Sequence, residues 1–110
     1  MDYVLRESQK LPKYLHRAFN QERSLMPKVE MYTKFMCPFC IRAKSLLKSK
    51  GVKVIDIPAA NDKAKRKEMN DRAFGRNTFP QIFINGQHVG GSDDLAALER
   101  AGKLDAMLGL

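Results

Sequence analysis

Residues 29–57 read VEMYTKFMCPFCIRAKSLLKSKGVKVIDI. The first five of them alternate as a strand does, and from Pro38 to about Lys50 the apolar residues recur at helical spacing. Gly51 is a usual helix terminator, and the β-branched run from Val52 to Ile57 is typical of a strand buried in a sheet. We therefore predict a strand–helix–strand unit with two cysteines at its first turn.

A second helix is predicted between Pro58 and Gly75. Asn61 or Asp62 can cap it, and it extends to about Phe74, where Gly75 terminates it. Its basic residues are interspersed with acidic ones, which is typical of a helix face in solvent. These basic residues, the densest group in the chain, are Lys63, Lys65, Arg66 and Lys67.

Residues 81–89 predict a β-hairpin. Gln81 to Ile84 alternates, Asn85-Gly86 is a strong two-residue turn, and Gln87 to Val89 returns as the partner strand. The two strands of such a hairpin are antiparallel, so the sheet has antiparallel neighbours at this end.

A further helix completes this order. Gly90-Gly91 breaks the hairpin, Ser92 or Asp93 can cap a helix through Arg100, and a short helical turn follows Gly102. The helical crossover makes the first two strands parallel, so the sheet is mixed and has helices on both faces. We therefore predict an α/β protein with the thioredoxin fold, in which helices flank a mixed four-stranded sheet.

Residues 1–25 have a different pattern from the rest. Leu11, Tyr14, Leu15, Ala18 and Phe19 recur at helical spacing, which predicts an extra N-terminal amphipathic helix. We predict a helical extension over residues 1–25 and a domain over residues 26–110.

The composition suits one compact domain, because the chain has 110 residues and 44% of them are hydrophobic. We interpret the net charge of +8 as solubility and weak attraction for anions, without a nucleic-acid partner. No apolar run approaches the roughly 18 residues of a membrane span, and no secretory signal begins the chain. We therefore expect a cytoplasmic protein that does not bind membranes.

Cys37 and Cys40 are the only cysteines. A disulfide between them would close too small a ring to stabilise the fold much, so the pair is better suited to chemistry. A helix that starts after Cys37 favours the thiolate there, and Lys34 adds positive charge. We predict that Cys37 is the exposed nucleophile and that the more buried Cys40 resolves the mixed disulfide.

The same spacing of two cysteines also occurs in zinc sites. The two histidines, His16 and His88, lie far apart in the chain and lack the paired spacing of zinc ligands. We therefore predict no metal.

Two further segments are candidates for ligand binding. Thr78-Phe79-Pro80 precedes the third strand, where a cis proline would expose the backbone of Phe79 to an extended peptide. Gly90-Gly91-Ser92-Asp93 stands before a helix N-terminus, whose free N–H groups suit a carboxylate.

These motifs together resemble the glutaredoxin family, in its bacterial dithiol class, over about residues 28–109. The resemblance implies that glutathione is the co-substrate, that it joins Cys37, and that its glycine carboxylate faces Lys34. The glutathione-binding residues that it implies are Lys34, Phe39, Thr78, Phe79, Pro80, Gly91, Ser92 and Asp93, with Arg76 and Gln81 also bordering the groove.

The resemblance also implies the reaction and its partners. Cys37 and Cys40 would form a redox-active disulfide and reduce disulfide-bonded or glutathionylated proteins, with NADPH reaching the protein only through glutathione reductase. We expect a monomer. One alternative is an iron-sulfur cluster carrier with glutathione as co-ligand, although such carriers usually have Ser in place of Cys40. The other is a thioredoxin, although this chain has no Trp.

Overall fold

The computed structural model describes residues 27–110, and the N-terminal extension with its predicted helix lies outside them. The described chain forms, in order, β1 (Val29–Thr33), α1 (Pro38–Ser49), β2 (Val54–Pro58), α2 (Lys63–Arg72), β3 (Gln81–Ile84), β4 (Gln87–Gly90), α3 (Ser92–Arg100) and α4 (Leu104–Leu108).

The four strands form one mixed sheet in the order β2-β1-β3-β4. β1 is parallel to β2, with Val29 opposite Val54, and antiparallel to β3, with Val29 opposite Ile84. β3 and β4 form the predicted hairpin, and both turn residues, Asn85 and Gly86, have positive φ, as a two-residue turn of this kind requires. The predicted mixed four-stranded sheet is confirmed.

Helices cover both faces of the sheet, so the central strands are buried on both sides. Met31 and Ile82 face one cluster and Tyr32 and Phe83 face the other, because successive side chains of a strand point in opposite directions. The first cluster takes its helical residues from α1, α3 and α4, and the second takes them from α2. Because β1 is packed on both faces, its C-terminal end has a fixed position, and the loop that leads to the two cysteines starts there.

One prediction about burial in the strands is wrong. β2 was expected to be buried, but it is an edge strand whose Ile55 is half-exposed, because only β1 pairs with it. All four residues of β3, by contrast, are buried. β3 lies between β1 and β4 and is covered on both faces, so neither set of its side chains reaches water.

Two helix boundaries also differ from the prediction. α2 has Asp62 as its cap, as expected, but it ends at Arg72, and Phe74 lies beyond it with a left-handed φ of 56°. α3 is capped by Gly91 instead of Ser92 or Asp93, because the Asp94 side chain reaches back and accepts from the Gly91 N–H at 2.9 Å. Among residues 27–110, no helix is both long enough and apolar enough to cross a membrane.

A polar cluster joins α2 to the sheet. Arg72 donates to Glu30 at 2.9 Å and to the Tyr32 hydroxyl at 2.8 Å, and its guanidinium lies 4.1 Å from the centre of the Phe83 ring. The Tyr32 hydroxyl in turn donates to Glu68. Burial, followed by the hydrogen bond to Glu68, raises the pKa of Tyr32. These contacts hold α2 against the sheet in a fixed orientation. Another part of α2 borders the candidate active site.

Candidate active site

The two cysteines occupy the N-terminus of α1. Cys37 is the residue that caps the helix, and Pro38 occupies the first helical position, where its missing N–H costs nothing. The Cys40 backbone N–H donates to the Cys37 sulfur at 3.2 Å, and the Ile41 N–H donates to the Cys37 carbonyl at 3.0 Å. Both cysteines are free thiols. The helix start thus holds the two sulfur-bearing residues one turn apart, with a donor directed at the first.

Cys37 is buried, and only 2% of its surface is exposed. The predicted exposure of this residue is therefore wrong. Its side chain folds back over the first helical turn to reach the Cys40 N–H, which withdraws the sulfur from solvent. The exposed residues at this point of the chain are its neighbours, including Phe35, Met36 and Phe39.

Cys40 is buried, as predicted. Burial is the largest cause that raises the pKa of its thiol to about 11, and the hydrogen bond with Cys37 raises it further. At neutral pH Cys40 is therefore a protonated thiol.

A groove of about 590 Å³ lies beside the cysteine loop. Its lining includes every residue predicted to bind glutathione, namely Lys34, Phe39, Thr78, Phe79, Pro80, Gly91, Ser92 and Asp93. Arg76, which was expected at its border, lines it as well. Three separate segments of the chain, far apart in sequence, are therefore brought to one groove.

The segment before β3 has the predicted geometry, because the Phe79–Pro80 bond is cis. Gln81, however, was expected to border the groove and is fully buried instead. Its side-chain amide donates to the carbonyl and hydroxyl of Thr78 at 3.0 and 3.1 Å, and its carbonyl contacts His88 at 2.7 Å. Gln81 thus supports the groove wall from behind.

The start of α3 forms the opposite wall. Gly91, Ser92 and Asp93 line the groove, and a guanidinium nitrogen of Arg76 lies 3.0 Å from Asp94. The Gly91 N–H, and after it the Arg76 guanidinium, lower the pKa of the Asp94 carboxyl. Asp94 therefore stays ionised and ties Arg76 to this helix start.

Arg66 is a groove residue that the sequence pattern did not indicate. Its charged neighbours predicted a solvent-facing helix surface, yet Arg66 lines the groove 5.7 Å from the centre of the Phe79 ring. It donates to the Ala60 carbonyl at 3.3 Å and to the Asn77 side chain at 3.1 Å. Within residues 27–110 neither Arg66 nor Lys34 forms an ion pair, so both can attract an anion.

A second, smaller cavity of about 280 Å³ contains the two cysteines in its lining. It shares Lys34 with the groove, and its lining also includes Asp56, which accepts from Thr33 and from Lys44 at 2.5 Å each. Burial is the largest influence on the Asp56 carboxyl and raises its pKa, but the donors Lys44 and Thr33 outweigh it, so the pKa is lower than usual. The two cysteines are thus lining residues of this cavity, and Lys34 belongs to both the cavity and the groove.

Comparison with known proteins decides the family. The family model described as Glutaredoxin matches residues 29–89. The chain belongs to the glutaredoxin family. It is 55% identical to glutaredoxin 3 of Escherichia coli (strain K12) over 83 residues, which cover 76% of this chain and 99% of that protein.

Solved structures agree with this assignment. The solution structure of glutaredoxin from Brucella melitensis is 54% identical, covers 76% of this chain and 90% of its own, and superposes with a TM-score of 0.67. The crystal structure of a buckwheat glutaredoxin–glutathione complex is 26% identical, covers 86% and 88%, and also has a TM-score of 0.67. The resemblance and the thioredoxin-like α/β fold are thereby confirmed. The chain is a dithiol glutaredoxin with Cys37 and Cys40 as its pair, a glutathione-dependent disulfide oxidoreductase.

Proposed function

We propose that this glutaredoxin reduces protein disulfides and glutathione mixed disulfides, with Cys37 as the nucleophile and Cys40 as the resolving thiol. The observation that carries this proposal is the position of the thiol pair at the start of α1, beside a groove that all eight predicted glutathione-binding residues line.

Cys37 begins the reaction as a thiolate, which the Cys40 N–H and the α1 N-terminus stabilise. The thiolate attacks one sulfur of the substrate disulfide. A bond forms between Cys37 and that sulfur, the substrate S–S bond breaks, and the departing thiolate takes a proton from water. The product of this step is a mixed disulfide on Cys37.

Two routes then release the mixed disulfide. With a glutathione adduct, a second glutathione thiolate attacks the sulfur of the bound glutathione, which yields glutathione disulfide and regenerates Cys37. With a protein adduct, Cys40 loses its proton and attacks Cys37, which yields the reduced protein and a Cys37–Cys40 disulfide that two glutathiones then reduce. The raised pKa of Cys40 lowers the fraction of its thiolate near neutral pH and so slows the second route.

The groove accommodates glutathione in this proposal. The cysteine of the tripeptide joins Cys37, its backbone pairs with Phe79 beside Pro80, and Lys34 faces its glycine carboxylate. The γ-glutamyl end lies at Gly91, Ser92 and Asp93, where free N–H groups at the start of α3 suit its carboxylate. The buckwheat complex supports glutathione as the co-substrate.

Several further assignments belong to the same proposal. Residues 26–110 are the catalytic domain and residues 1–25 an extension. The protein works as a monomer in the cytoplasm, receives electrons from NADPH only through glutathione reductase and glutathione, and needs no metal, nucleic acid or membrane.

The test is reduction of a glutathionylated small thiol, coupled to glutathione reductase and NADPH, for the wild type, Cys37→Ser and Cys40→Ser. We expect activity to vanish only in Cys37→Ser, because glutathione itself resolves this adduct. Reduction of a protein disulfide should also require Cys40. An inactive wild type would refute the proposal and favour the alternative function, an iron-sulfur cluster carrier. Anaerobic reconstitution with iron and sulfide would then produce a coloured dimer.

A further inference from the structure

We propose that the second cavity, together with the exposed side chains of Phe35, Met36 and Ile41 around it, binds an apolar side chain next to the reactive cysteine of a protein substrate. We call these three residues the apolar rim. This inference rests on the proposed function and adds to it the kind of polypeptide that the enzyme prefers.

The first observation is that the cysteine pair lines this cavity. Cys37 and Cys40 belong to its lining and not to the lining of the groove, and Lys34 is the residue that the two spaces share. A substrate that forms a bond to Cys37 therefore has two directions in which to extend, and the groove accounts for only one of them.

The second observation is the composition of the rim. Phe35 is 88% exposed, Met36 is 77% exposed and Ile41 is 64% exposed, and all three line the cavity. Single exposed apolar residues are ordinary on protein surfaces, but a group that surrounds a reactive centre marks a binding surface. Water contact at these three side chains is unfavourable, and an apolar partner would remove it.

The third observation concerns charge. In the cavity, Lys44 and Asp56 form an ion pair at 2.5 Å, which leaves Lys34, shared with the groove, as the charged lining residue without an ion pair among residues 27–110. The apolar rim itself carries no charge, so it suits an uncharged side chain.

Disulfide geometry identifies the occupant as a neighbour of the substrate cysteine. The Cα atoms of two bonded cysteines lie only about 4.4–6.8 Å apart, and one further residue adds about 3.8 Å. The residues on either side of the substrate cysteine must therefore lie against the surface next to Cys37. An apolar residue there can bury its side chain against the apolar rim while the disulfide forms.

The experiment compares the wild type with a variant that carries Phe35→Gln, Met36→Asn and Ile41→Gln. Asn is chosen at position 36 because Met36 has a left-handed φ of 53°, which Asn tolerates. The control is Phe74→Asn, because Phe74 is 86% exposed, also has a left-handed φ and lines neither space. The substrates are disulfide dimers of short neutral peptides with Leu or with Ser on both sides of the cysteine.

We expect the wild type and Phe74→Asn to reduce the Leu peptide about tenfold more efficiently, in kcat/KM, than the Ser peptide. The rim variant should lose this preference and yet reduce a glutathionylated small thiol within about twofold of the wild-type rate. Retention of the preference in the rim variant, or its equal loss in Phe74→Asn, would overturn the proposal.

A second readout does not depend on turnover. The methyl NMR signals of Met36 and Ile41 should shift when a Leu peptide with Ser in place of its cysteine is added to the wild type, and the absence of any shift would overturn the docking surface. If the wild type reduced no disulfide while these signals shifted, the proposed function alone would fail. Concentration-dependent dimerisation that the rim variant abolishes would assign the surface to a second copy of the chain and also overturn the proposal.

Discussion

Gly90→Ala should destabilise the protein strongly, because the position lacks room for a side chain. Gly90 has a φ of 119°, which L-residues rarely adopt, and a Cβ placed there would lie 2.3 Å from an Asp94 oxygen and 2.8 Å from an Arg76 nitrogen. Both atoms end flexible side chains, but they can move aside only by breaking the Arg76–Asp94 pair and the bond from the Gly91 N–H to Asp94.

The expected decrease in the free energy of unfolding has three contributions. A non-glycine residue in a sparsely populated backbone region costs about 1–3 kcal/mol, loss of the bond at the start of α3 about 1 kcal/mol, and the half-exposed ion pair at most about 1 kcal/mol. Because the terms overlap, we expect the free energy of unfolding to fall by about 2–4 kcal/mol, with a Tm about 10–20 °C lower.

Urea unfolding followed by circular dichroism measures this loss, and Gly91→Ala is the matched control. Gly91 has an ordinary φ of −94°, and the nearest atom to a Cβ there is the Pro80 carbonyl oxygen at 3.5 Å, an ordinary contact. We expect Gly91→Ala to cost about 1 kcal/mol or less. Equal losses in the two variants, or a Gly90→Ala loss below about 0.5 kcal/mol, would refute the reasoning.

Three further predictions concern charge and protonation. Burial raises the pKa of Cys40 from about 9 to about 11, so the folded state holds this proton more tightly than the unfolded state does. The free energy of unfolding should therefore decline as the pH rises between these two values, and it should decline less in Cys40→Ala. Identical pH profiles of the two proteins would contradict this prediction. Asp56→Asn should lower the free energy of unfolding by about 1 kcal/mol at pH 7, and this loss should shrink as the pH falls below about 3.8. Asp71→Asn, at an exposed ion pair, should change the free energy of unfolding little in the same urea titrations. Arg66→Gln should raise the KM for a glutathionylated small thiol about threefold, and Lys67→Gln on the same helix should leave this KM unchanged. Equal effects of the two substitutions would show that Arg66 has no particular role in binding this substrate in the groove.

Local signals in the sequence account for most of what was predicted correctly. The helix after Cys37, its end at Gly51 and the turn at Asn85-Gly86 depend on backbone preferences that a few neighbouring residues set. The groove residues come from short motifs that the family resemblance aligned, which is why all eight line one space.

The predictions that failed depend on contacts between distant segments. The apolar run of β2 has the composition of a central strand, and only the strand order leaves Ile55 at an edge. Arg66 carries the same charge as its solvent-facing neighbours, and only the packing of α2 against the sheet directs it into the groove. The burial of Cys37 similarly follows from where its side chain turns, which residue type and spacing do not specify.

The most direct test of the central claim is the intact mass of Cys37→Ser and Cys40→Ser after brief incubation with glutathione disulfide at neutral pH. We expect Cys40→Ser to gain one glutathione, which peptide mapping assigns to Cys37, and Cys37→Ser to gain none, because the buried Cys40 thiol stays protonated. A glutathione on Cys40 in Cys37→Ser, or none in Cys40→Ser, would contradict the assignment of Cys37 as the nucleophile.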